Sequence, residues 1–232
     1  VTSVTASTDT TATNWGCGTT DGTTPGLNNL GGCFKGCTAL TSVPAHIPST
    51  VTLLRDCFMS CSSFVSGVSN WLPTGTSVTQ VYSMFYSASS FNEDIGGWDV
   101  SGINDVNGMA DMFRFASAFN NGGSGSISTW DVSNVVSLNR TFNGTPFNQD
   151  IGAWDVSSVT NLSQTFNDNL QFNKNITIWQ TNGSVSTGNM FLNSNAMATA
   201  YGTRTGYGIT PTASTFFNQP LLTISFRSVR GK

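Results

Sequence analysis

Few residues in this sequence have chemical reach: five cysteines (Cys17, Cys33, Cys37, Cys57 and Cys61), one histidine (His46), and aspartates that recur beside tryptophan. Cys33/Cys37 and Cys57/Cys61 share a C-x3-C spacing, which leaves three states open: disulfides, free buried thiols or a metal centre. A metal centre is the least favoured, because no histidine lies near either pair and the spacing falls on a core-facing segment. His46 sits in Pro44-Ala45-His46-Ile47-Pro48, a proline-framed loop without a motif-borne partner, so it reads as a surface residue and not a general base. No phosphate loop, nucleophile elbow or metal motif is present. The sequence therefore predicts no catalytic residue, no cofactor, no metal and no enzymatic activity.

Asp99, Asp131 and Asp155 each follow a tryptophan, while Asp94 and Asp150 stand just before Ile95 and Ile151. A carboxylate ladder is a conceivable calcium site, but Asp followed by Val-Ser is ordinary turn chemistry, the carboxylate accepting backbone N–H groups two residues on. Asn92, Asn120, Asn148 and Asn173 predict an internal amide ladder or side chains that satisfy turn backbone, with Asn218 extending the series. Asn139, Asn143, Asn161, Asn175 and Asn182 begin N-x-[ST] sequons at about the number such a Ser/Thr-rich composition yields.

The elements that must position these residues are repeats. An aromatic anchor recurs at Phe34, Phe58, Phe85, Phe113, Phe142, Phe166 and Phe191, at intervals of 24 to 29 residues. Six residues on comes Leu40, Phe64, Phe91, Phe119, Phe172 or Met197, with Phe147 five after its anchor. Apolar residues also precede the anchors at minus seven and minus four: Leu27/Leu30, Val51/Leu54, Val78/Val81, Val106/Met109, Val135/Leu138 and Val159/Leu162, weakening to Ser184/Thr187. A tryptophan column follows at Trp71, Trp98, Trp130, Trp154 and Trp179, with an apolar residue three before each.

The 3-3-4 spacing around each anchor predicts a short helix with one buried face, and I-x2-W-D-V-S predicts a short strand and turn. Stacking the units would give one continuous core of about seven rungs, with Asn120 to Ser126 projecting as an inserted loop. The phenylalanine anchors and the five tryptophans are the predicted repeat core. Equivalent positions would lie about 5 Å apart, so Cys33–Cys57 and Cys37–Cys61 fall within disulfide reach as rung-to-rung pairs.

Charged residues make up 9% of the chain, against about a quarter in an ordinary soluble protein, and Ser, Thr, Asn and Gly replace them. The net charge of -3 and scattered basic residues exclude a nucleic-acid footprint. No apolar stretch approaches the roughly 20 residues needed to span a bilayer. A neutral hydroxyl-rich surface suits an extracellular, cell-surface or virion-exterior setting.

The units from Met84 (MFYSASSFNEDIGGWDVSGI) and from Thr141 (TFNGTPFNQDIGAWDVSSVTNLSQTF) resemble the repeat of the BspA-like, mycoplasma-lipoprotein surface family of DUF285 type. The unit from Cys33 is similar to the related BspA leucine-rich repeat. This resemblance, over about residues 27–198, implies a leucine-rich-repeat-like right-handed solenoid and a surface protein whose family has no catalytic motif to transfer. Residues 1–26 read as an N-terminal arm and cap, and 199–232 as a C-terminal cap with a β-rich tail. The expected function is a structural and interaction protein of a virion, appendage or surface layer, assembled through its termini with copies of itself or other protein subunits. The alternative is an adhesion module that binds a host surface protein or glycan through its stacked face.

Overall fold

The computed structural model describes residues 29–219. Cys17, Leu27, the arm over residues 1–14 and the tail from Leu221 lie outside the described residues. Among the described residues, the chain contains two short α-helices, α1 (Asn195–Tyr201) and α2 (Ala213–Phe216), and two 3-10 turns, Asn121–Gly123 and Gly125–Thr129. There is no β-strand among them, only isolated parallel bridges such as Asn29 with Leu53, Leu53 with Gln80, and Ser137 with Asn161.

The expectation of a leucine-rich-repeat-like right-handed solenoid with a helix and a strand in every rung is thereby overturned. Each rung is made of β-turns. The N–H one residue before the anchor donates to the carbonyl four before it, and the N–H three after donates to the anchor's own carbonyl. Met112 thus bonds to Met109 (3.1 Å) and Ala116 to Phe113 (2.9 Å), as Cys57 bonds to Leu54 (3.2 Å) and Cys61 to Phe58 (3.1 Å). The presumed strand is another such turn, with Trp98 donating to Ile95 (3.0 Å) and Trp154 to Ile151 (3.1 Å).

A left-handed residue in each of the two turns around the anchor is the physical reason that no helix forms there. At minus two stand Gly32, Asp56, Ser83, Asp111, Arg140, Gln164 and Asn189, and at plus two Gly36, Ser60, Ser87, Phe115, Gly144, Asp168 and Asn193, all at φ between 52° and 75°. A left-handed third residue is the demand of a type II turn, and a helix cannot run through it. Most of these fourteen positions hold Gly, Ser, Asp or Asn, residues that tolerate or prefer turns. The turn spacing of three and four residues coincides with a helical face, so apolar periodicity alone points to the wrong element.

The alternation also sets the stacking. Around Phe113 the N–H groups of Met109, Asp111, Phe113 and Phe115 donate to the carbonyls of Ser137, Asn139, Thr141 and Asn143 in the next rung, at 2.8 to 3.1 Å. The intervening N–H groups close the turns, so the backbone of the wall is satisfied within and between rungs.

Inside, the anchors stack face to face from Phe34 to Phe191 at centroid spacings of 5.4 to 6.1 Å. A second file, Phe64, Phe91, Phe119, Phe147 and Phe172, runs beside it, and Phe113 meets Phe119 at 3.8 Å. Every anchor and the five tryptophans of the repeat column are buried. The minus-seven column departs once: Val106 is 74% exposed and Ile103 is buried in its stead. In the last rung, Val185 is buried beside the polar Ser184.

Three local expectations are corrected. The segment from Asn120 to Ser126 does not project; buried Asn121 accepts the Ile95 N–H (2.9 Å) and donates to Ser124 O, folding the segment back onto the previous rung. The Phe217-Asn218 pair, which in sequence echoes the F-N of the repeat, falls in another column: Phe217 extends the tryptophan file, stacking on Trp179 at 6.1 Å, and Asn218 donates its backbone N–H to the Trp179 carbonyl. Finally, α1 spans the expected boundary between residues 198 and 199, and with α2 it closes the stack through Met197, Phe216 and Tyr207 packed at Phe191.

Candidate interaction surface

The cysteines are placed where their chemistry is suppressed. Cys37, Cys57 and Cys61 are free thiols, so neither expected pair, Cys33–Cys57 or Cys37–Cys61, is formed, while Cys33 is disulfide-bonded. Burial pushes the Cys57 thiol well up, with Cys61 nearby adding to it, and burial pushes Cys61 up to about 12. Cys61 Sγ also donates to Phe34 O at 2.9 Å. A protonated, enclosed thiol is a poor nucleophile. His46 is exposed in its loop, and no group of three metal-ligating side chains occurs among the described residues.

Each aspartate of the ladder serves its own turn. Asp99 Oδ1 accepts from Ser101 N (3.1 Å) and Oγ (2.6 Å), Asp131 Oδ1 from Ser133 N and Oγ, and Asp155 Oδ1 from Ser157 N. The serine hydroxyl bonds hold Asp99 and Asp155 below the ordinary carboxylate value. Burial alone would raise Asp94, but hydrogen bonds led by Ser126 Oγ (2.6 Å) and the Gly96 N–H (2.9 Å) bring it down. The asparagine ladder forms, with Asn92, Asn120 and Asn148 Oδ1 accepting the backbone N–H of Asn120, Asn148 and Asn173. It lies on a solvent-facing flank and not inside, and Asn218 bonds to Thr181 without extending it. Among the sequons, Asn143 is buried, which withholds its amide from modification.

The remaining feature with an organised chemistry is one that sequence reasoning missed. On the wall of left-handed turns, Arg114 lies over Phe115 (4.7 Å to the centroid) and beside Tyr86 (5.5 Å), and the two rings meet edge to face at 5.9 Å. Asp111 ties two rungs together, accepting hydrogen bonds from Arg114 Nη1 (3.3 Å) and, at Oδ2, from Arg140 Nη2 (3.1 Å), while Arg140 Nε lies 3.0 Å from Oδ1 as an ion pair.

Phe115 occupies a backbone site that elsewhere holds Gly, Ser, Asp or Asn. Its φ of 59° is costly for a bulky side chain, about 1–2 kcal/mol, yet the ring remains 39% exposed. Gly144, one rung on, is what makes room: a Cβ there would stand 2.6 Å from Phe115 Cδ1. The signal that could have revealed the cluster was the aromatic at plus two, out of keeping with its column.

On the wall that carries the tryptophans, an open trough of about 770 Å³ is lined by Gly152, Ala153, Trp154, Asp155, Ser157 and Ile178, with Gln180, Asn218 and Gln219 at its end. No described helix is long and apolar enough to cross a membrane.

Comparison with curated proteins and with solved structures finds no match to this chain. A family pattern described as "Mycoplasma protein of unknown function, DUF285" matches twice, over residues 28–126 and 122–223, so that between them the two matches take in every rung described above. The chain belongs to the DUF285 family.

Proposed function

We propose that this chain is a non-enzymatic structural and interaction protein of an exterior surface, and that it meets its partner through the Tyr86–Arg114–Phe115–Arg140 cluster. The observation that carries this reading is Phe115: a strained aromatic held partly in solvent contributes little to the fold and costs backbone energy, the pattern of a contact residue. Tyrosine and arginine, with large aromatic anchors, dominate binding hot spots, and a preformed cluster loses little side-chain freedom on binding. The sparing use of charge and the disulfide at Cys33 support an exterior, oxidising setting.

The test is retention on the cells or particles that produce the protein, comparing the full chain with its Arg114→Ser/Arg140→Ser variant and with Val106→Ser as an exposed control. Loss of retention in the double variant alone is the expected result. Equal retention of all three would overturn the reading. Assembly through the termini, the sequence-based expectation, concerns residues outside those described, and the cluster offers a route that does not need them.

A further inference from the structure

We propose that the partner is a second copy of this chain, the Arg114–Phe115–Arg140 cluster of one copy docking at the Asp155 trough of the next. This rests on the reading above and adds the identity of the partner.

Charge is the first argument. The chain carries a net -3, but the cluster joins two guanidiniums to one carboxylate, Asp111, and is locally positive. Arg114 Nη2 and Arg140 Nη1 have no partner among the described residues, and both side chains are partly exposed. The tryptophan wall is the complement. Asp131 and Asp155 are exposed, each spends Oδ1 on its own turn, and neither Oδ2 has a partner among the described residues. Opposed potentials of this kind steer two surfaces together and fix their register.

Register is the second argument. Arg114 and Arg140 stand on consecutive rungs, as do Asp131 and Asp155. Their rungs are separated by 5.8 Å at Phe113–Phe142 and 6.1 Å at Trp130–Trp154. The two guanidiniums converge on Asp111 from adjacent rungs, so a paired cationic surface faces a pair of carboxylates that also come from adjacent rungs.

Shape is the third. Phe115 lies partly exposed along its wall, over Gly144, and the trough beside Asp155 is lined by Gly152, Ala153 and Ile178, small or apolar residues that leave room for an aromatic surface. The two surfaces lie on different walls, since Phe142 and Trp154 enter the core from separate segments and meet at 6.3 Å with tilted rings. A contact between unlike surfaces does not close on itself as a two-fold dimer does, and it propagates into open-ended rows unless the rotation completes a ring.

Sedimentation velocity on the purified full chain tests this, at low and high salt, with two charge-reversed variants, Arg114→Glu/Arg140→Glu and Asp131→Lys/Asp155→Lys. The expected result is concentration-dependent association of the parent chain that weakens with salt, and at least about a tenfold loss in each variant alone. Mixing the two variants restores association, because each then meets a complementary wall; this also shows that both are folded. Phe115→Ser, which leaves the charges intact, is expected to weaken association as well. A parent chain that stays monomeric at every concentration, or variants that associate as well as the parent, would overturn self-docking. Neither result touches the retention experiment, so a monomer that is still retained through the cluster means a different partner.

Discussion

The indole N–H of Trp154 donates to the backbone carbonyl of Ile127, one rung earlier, at 3.1 Å. The same bond joins Trp98 to Val68, Trp130 to Ile95, Trp179 to Ile151 and Trp71 to Pro44. Each tryptophan thus fills the core and ties two rungs together, and the Val68, Ile95, Ile127 and Ile151 carbonyls each take the indole as a second donor beside the N–H that closes their own turn. Replacing Trp154 by Phe keeps an aromatic ring but removes one of the two donors to the Ile127 carbonyl, which still accepts the Trp130 N–H (3.2 Å), at an expected cost of about 0.5–1.5 kcal/mol. Urea unfolding of the single variant measures it. A change below 0.5 kcal/mol, marked here as roughly the surface-substitution range, would show that the bond contributes nothing.

Two glycines separate conformational strain from collision. Gly36 has φ 75° with nothing near a built Cβ, whereas Gly67 has φ 114° and its Cβ would stand 2.3 Å from Val43 O. Gly36→Ala is expected to cost about 1 kcal/mol. Gly67→Ala is expected to cost at least about 2 kcal/mol more than that, since the rung below must move and the N–H bond to Glu93 Oε2 (2.9 Å) moves with it. Equal costs in thermal unfolding would contradict the placement of Gly67 against the neighbouring rung.

Acid should loosen the aspartate turns. Asp99 and Asp155 titrate below the ordinary carboxylate value when folded, so their contribution is present above that value and is lost as pH falls through the folded one. The melting temperature is expected to fall in the acid range below about pH 4, and to fall less steeply in Asp99→Asn. A profile unchanged by the substitution would contradict a role for the Ser101 bonds.

The thiols should respond in order. Cys37 is partly exposed, while Cys57 and Cys61 are enclosed and held protonated. Iodoacetamide at neutral pH is expected to label Cys37 in the native chain, and Cys57 and Cys61 only on unfolding. Rapid native labelling of Cys57 would show that the first two rungs open.

Much of this molecule is legible in the sequence. Column after column of apolar residues, from Leu30 to Met197, falls in the core, because burial of one side chain per turn is what the spacing records. The local backbone was not legible from that pattern, since tandem turns and a helix share spacings of three and four. The evidence against a helix lay in the residues between, Asp56, Ser60, Ser83 and Ser87, whose left-handed preference apolar periodicity ignores. The interaction cluster was hidden for another reason: Tyr86, Arg114, Phe115 and Arg140 come from three rungs and are joined only by stacking.

The claim that this cluster is the contact surface is tested most directly by photo-crosslinking, with benzoylphenylalanine in place of Phe115 in the full chain and, as control, in place of Val106, the most exposed large apolar side chain among the described residues. On the native surface the account predicts a crosslinked adduct from position 115 and none from position 106; an adduct from position 106 alone would contradict it.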